Sequence, residues 1–139
     1  MEKTLITGAR DAFNLVATKL RDGDAALDHS KGDRLLAIIK IDSTYKVRDV
    51  IYTKADIRKI EGMSVAIHYA QEAAKDSETA GLLLAMNTPY PWPTKEMQTC
   101  VAEYRKALKI FGLALVDVLT INRTHYYSFA DEVTREIEE

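Results

Sequence analysis

Few groups in this 139-residue sequence could do chemistry: three histidines, one cysteine and a scatter of carboxylates. A catalytic metal needs about three protein ligands brought together. His29, His68 and His125 offer no short ligand spacing between any pair. His68 reads as a partly buried helix residue, and His125 as a turn or edge residue. A nucleophilic cysteine needs a base and a setting that favours its thiolate. Cys100 lies between Met97 and Val101 on an apolar stripe and reads as a buried structural residue. Asp117 stands between Val116 and Val118, so its carboxylate needs hydrogen-bond partners and a structural role is expected. A hydrolase would have to be built from Asp49, Asp117 or Thr88. Tyr90 and Trp92 alternate with Pro89, Pro91 and Pro93. Stiff flanks let two aromatic rings be displayed at low entropy cost, which suits contact with a partner.

Composition narrows the class. Hydrophobic residues make up 47% and charged residues 29%, as expected for an ordinary globular domain. The length fits one domain, residues 1–139, with a full core. No apolar run approaches the roughly 20 residues of a membrane span. The first ten residues lack a signal-peptide core, and a single cysteine cannot form an internal disulfide. These features together point to the cytoplasm. The net charge of −2 gives no global field to recruit nucleic acid. Lys46, Arg48, Lys54, Arg58 and Lys59 form the densest basic region. Asp49, Asp56 and Glu61 interrupt it, so it reads as a solvated face. Arg105, Lys106 and Lys109 add a second such group.

The elements that must position these groups follow from periodicity. Ala12, Phe13, Val16, Ala17 and Leu20 recur at helical spacing and predict a helix over 9–21. Thr7 is its expected N-cap, Asp11 favours its first turn, and Gly23 is expected to stop it. Apolar strands follow at 34–41 and 45–53, joined as a hairpin by Asp42-Ser43-Thr44. A helix is expected over 65–74 with Ser64 or a nearby residue as a cap, then a strand over 79–85 leading into the proline loop. Thr94 caps a helix over 96–110, and Gly112 ends it. Strands over 113–121 and 125–129 form a hairpin at Asn122-Arg123-Thr124. Residues 130–139 read as a short charged helix or a frayed tail. The order α-β-β-α-β-α-β-β-α predicts an α/β fold with a mixed sheet flanked by helices.

Two segments carry a resemblance. Phe111-Gly112-Leu113-Ala114-Leu115-Val116-Asp117-Val118-Leu119-Thr120-Ile121, followed by Tyr126-Tyr127-Ser128-Phe129-Ala130, resembles the C-terminal end of RadC-like JAB/MPN domains. The upstream order of elements is similar to that family over nearly the whole chain. The resemblance implies a cytidine-deaminase-like arrangement. It also implies a zinc site in members that carry His-x-His-Pro-Ser-Gly after the third strand and a later Ser-x-x-Asp. There the two histidines and the aspartate hold the metal, and a glutamate on the second strand activates its water.

This chain departs from that pattern at every ligand. Met86 and Thr88 stand at the histidine positions, with Asn87 and Pro89 keeping the frame. Tyr90-Pro91 replaces Ser-Gly. Thr94 stands for the serine, Met97 for the aspartate ligand, and Asp49 falls near the glutamate. Thioether and hydroxyl groups are poor partners for divalent zinc. The resemblance therefore implies the fold without the activity: no metal, no cofactor, and a domain that contacts a protein partner or a second copy. Trp92 would then either anchor that contact or fold back over the former cleft. The family's link to DNA repair and mobile elements adds a DNA-associated accessory role as an alternative, alongside the relocated hydrolase.

Overall fold

In a computed structural model of the protein, the structure describes residues 5–24, 34–88, 93–122 and 124–137. The elements are α1 (Ala9–Asp24), β1 (Leu35–Ile41), β2 (Val47–Lys54), α2 (Ile60–Ala74), β3 (Gly81–Asn87), α3 (Lys95–Ile110), β4 (Ala114–Ile121), β5 (His125–Ser128) and β6 (Val133–Glu136). They form a single α/β unit around a six-stranded mixed sheet in the order β2-β1-β3-β4-β5-β6. Only β3 and β4 are parallel; β1 flanks β3, and β5 flanks β4, antiparallel.

Position in the sheet explains the composition of the strands. β3 is buried at every residue because it has a neighbour on both edges and helices on both faces. Leu82, Leu84 and Met86 join Leu36, Ile38 and Val118 in a cluster with α2 and α3. Leu83 and Ala85 join Ala37, Ile39, Leu119 and Ile121 in a second cluster under α1. The predicted stripe of α1, Ala12, Phe13, Val16, Ala17 and Leu20, is buried there.

Small residues let α2 lie close to the sheet: its buried face is Gly62, Ala66, Ala70 and Ala73. α3 supplies the bulk with Met97, Val101, Tyr104 and Leu108. The Tyr104 hydroxyl donates to the carbonyl of Ala66 at 3.1 Å and so ties the two helices. Burial pushes its pKa well up. Gly112, at φ 78°, turns the chain out of α3 as expected of a glycine after a helix.

Several expectations need correction. The last segment is a strand, not a helix or tail: β6 pairs antiparallel with β5 from Ser128↔Val133 to His125↔Glu136. Val133 and Thr134 are β-branched, and Glu132 at φ 57° makes the tight reversal before them. α1 runs through Gly23 to Asp24. α2 starts at Ile60, not beyond Ser64, and its N-cap, Lys59, makes no side-chain cap. Asp56 organises that start instead: its carbonyl accepts from Lys59 N at 3.0 Å, and its Oδ1 from Arg58 N at 3.0 Å. His68 is exposed, and Cys100 is half-buried.

Candidate functional site

The sheet's topology fixes where a site would lie. Ligands of open α/β sheets favour the crevice beyond the C-terminal ends of parallel strands. Here that end belongs to β3 and β4. α3 begins just past β3, and α2 follows β2, whose last residue Lys54 pairs with Leu35. Leu36 in turn pairs with Met86. Both helices therefore start at the end of the sheet where β3 and β4 finish.

Met86 and Met97 lie in one cluster with residues of α2 and α3, and Thr88 follows the last residue of β3. Met86 and Met97 belong to one apolar cluster and are essentially inaccessible. Thr88 continues β3 through a bond from its N–H to the Ile121 carbonyl at 2.9 Å, and it is buried. Its hydroxyl, like that of Thr120, has no hydrogen-bond partner among the described residues. Thr94 acts locally. Its Oγ1 accepts from Met97 N at 3.1 Å, which is the expected N-cap of α3.

Asp49 does not join them. It lies opposite Lys40, which pairs with Leu82, whereas the β2 residue level with Met86 is Thr53. Four residues along a strand separate these levels by about 13 Å. Asp49 is exposed, and its carboxylate accepts from the N–H of Val50. The expected placement of Asp49 at the cleft is thus corrected; the bulge near Ile41 and the late end of β2 at Lys54 set the register. Tyr90 and Trp92, the expected interaction loop, lie outside the described residues, as does His29.

The described residues at this end of the sheet do not fit zinc. Two thioethers enclosed in hydrocarbon and a buried hydroxyl provide no set of hard or imidazole donors. Among the described residues, no three His, Cys, Asp or Glu side chains are grouped to hold a metal ion.

The polar groups near the helix starts form an ion-paired cluster that periodicity did not reveal. Arg58 binds Asp56 in a fork, Nε to Oδ1 at 3.0 Å and Nη2 to Oδ2 at 2.8 Å. Burial alone would raise the pKa of Asp56, but the hydrogen bonds and charge of Arg58, with Arg34 further off, hold it below the usual range. Burial, then Glu96, Asp56 and Glu103, push the Cys100 thiol up, which disfavours a thiolate nucleophile. The Asp-x-Arg spacing at 56–58 was the available sequence signal. Asn87 at the end of β3 accepts from Leu35 N at 2.6 Å and so closes the strand ends together.

Asp117 lies on the opposite, α1 side of the sheet, with its carboxylate fully engaged. It accepts from Ser128 Oγ at 2.6 Å, Val118 N at 2.7 Å and Ala130 N at 2.9 Å. Asp49, Asp117 and Thr88 are therefore not brought together: Asp49 lies about four residues along the sheet from the level of Met86, and Asp117 lies on the other face from Thr88. In the basic region, Arg48 pairs with Asp76 at 3.0 Å and Glu78 at 2.7 Å, and Arg58 with Asp56. No described helix is long and apolar enough to cross a membrane. No protein-family model and no curated protein matches the chain.

Proposed function

We propose that this chain is a non-catalytic domain of the RadC-like JAB/MPN type that serves as a protein-interaction or accessory module. One observation carries the reading. Of the three residues that the resemblance puts at the metal ligands, Met86 and Met97 are sealed into one apolar cluster, and Thr88 is buried just past the end of β3. The strand order and the two hairpins suit such a domain, and the engaged carboxylate of Asp117 leaves it a structural part. The contact segment in this reading is the proline-interleaved sequence with Tyr90 and Trp92, since aromatic residues are favoured as interface anchors. Its occupant is a protein partner or a second copy of the chain. Elemental analysis of protein purified without a tag tests the loss of the metal. The expected result is zinc far below one per chain; one zinc per chain, held after dialysis, would overturn the reading.

A further inference from the structure

A cleft of about 360 Å³ opens between α1 and the β5–β6 edge, on the face of the sheet opposite Met86. Its floor is the stacked pair Phe13 and Tyr126, with ring centroids 4.3 Å apart and planes within 7°. Arg135 lies directly across the β5–β6 pair from Tyr126. Residues paired across two strands point to the same face, so both side chains turn toward α1. Glu136 also borders the cleft, but strand alternation turns its side chain to the other face. From α1, Arg10 and Asn14 are one turn apart and line the same wall. Ile137 closes the apolar side.

The two arginines here are weakly engaged. Arg10 forms no ion pair with any described residue. Arg135 has one long contact, 3.7 Å to Asp131, and its side chain is 49% exposed. Guanidinium groups present planar donor forks matched to carboxylate and phosphate. An apolar floor with a few convergent polar groups is the usual make-up of a small-ligand site, and this volume lies near the lower end of the roughly 300–1,000 Å³ range.

We propose that this cleft binds a small organic anion. Its phosphate or carboxylate is held between Arg10 and Arg135, with Asn14 as a further donor. Its aromatic or branched apolar body lies over Tyr126 and against Ile137. This site is independent of the proline loop and of the lost metal cleft.

Titration of the full isotope-labelled chain with phenyl phosphate, phenylacetate and inorganic phosphate, read by amide chemical shifts, tests it. The two aryl arms distinguish a phosphate from a carboxylate ligand. Saturable shifts at Asn14, Tyr126, Arg135 and Ile137 are expected with at least one of them. Inorganic phosphate is expected to bind about tenfold more weakly than the better aryl anion. Arg10→Ala and Arg135→Ala should each weaken binding at least about tenfold, and Lys109→Ala on the other face should not change it. Should Arg135→Ala lose its fold, Arg135→Lys keeps the charge without the fork and is expected to bind with intermediate strength. No saturable shift with either aryl anion, equal binding of inorganic phosphate, or unchanged binding in both arginine variants would overturn the proposal.

Discussion

At the scale of single residues, Asp117 is the most consequential side chain whose role can be derived. It is 5% exposed and accepts three hydrogen bonds, two of them from backbone N–H groups of different segments. Burial raises its pKa, the bonds from Ser128, Ala130 and Val118 oppose that rise, and Asp131 adds to it. The net direction is up. A carboxyl whose folded-state pKa exceeds its unfolded value favours folding most when protonated, so its contribution is lost as pH rises through the folded pKa. Asp117→Asn removes the charge and keeps an acceptor for the two N–H groups. The stability of wild type minus that of D117N should therefore fall as pH rises from about 4. Urea midpoints of both proteins across that range measure it, and a difference that rises with pH would refute the assignment. Asp117→Ala leaves a hydroxyl and two amides without their acceptor and should cost about 3 kcal/mol at neutral pH, against a smaller loss for D117N. Asp56, Glu72 and Asp76 shift the other way, since each is held below its usual range. Their contributions, like that of Asp11, are present above the unfolded carboxyl pKa and are lost as pH falls, opposite in direction to that of Asp117.

At the scale of elements, the start of α2 depends on a glycine. A Cβ built on Gly62 would lie 1.9 Å from the Asp56 carbonyl oxygen and 2.4 Å from its carbon. Both are backbone atoms, so no side chain can swing aside. Gly62→Ala should gain about 1 kcal/mol of helix propensity. It should lose about 3 kcal/mol through the displaced 55–57 segment. Ser64→Ala, on the exposed side of the same helix, should stay within about 0.5 kcal/mol of wild type. Denaturant midpoints separate the two variants; a G62A protein as stable as wild type would mean that the segment before α2 can move away freely. The same helix shows why part of the fold was legible and part was not. β1, β3 and β4 announce themselves as continuous apolar runs because both of their faces are covered. α1 and α3 announce themselves by stripes, and α3 also by its Thr94 cap. The first turn of α2 carries neither signal: Gly62 is buried by close approach, and the turn is held by Asp56 from outside the helix. β6 was hidden for the opposite reason. As an exposed edge strand it needs no apolar face, and its charged residues resemble those of a helix or tail. Met86, Thr88 and Met97 were picked out as a set only by the resemblance, not by any pattern of their own. The Asp49 register was not, because it depends on the bulge in the β1–β2 pair. Arg10 and Arg135 were not legible either, since only the strand order brings opposite ends of the chain to one cleft.

At the scale of the whole molecule, the sheet order predicts a gradient of local stability. β3 is central, buried at all seven residues, and bonded to β1 on one side and β4 on the other. β6 is exposed at all four residues and has a neighbour only in β5. Local opening costs least where few apolar contacts and few paired edges hold an element. Amides of β6 bonded to β5 should therefore exchange by fraying, at rates at least about a hundredfold faster than those of Leu83 to Ala85, which should open only with global unfolding. β2, the opposite edge, should fall between them, since its eight residues form a longer ladder with β1 and are partly covered. Native-state hydrogen exchange read amide by amide gives the ranking. Protection in β6 equal to that in β3 would mean that the outer edge is bound to the core far more firmly than its exposure implies. The same measurement links stability to the proposed anion site. A ligand that spans Arg10 on α1 and Arg135 on β6 binds only when β6 is docked, so it must slow β6 exchange by the inverse of the unliganded fraction. Exchange in β3, which needs global unfolding, must slow by that same factor, because the unfolded chain does not bind the ligand. Slowing of β6 and of the globally exchanging core, with exchange by local fraying of β2 unchanged, is the expected pattern, and slowing of β2 fraying as large as that of β6 would place the ligand elsewhere.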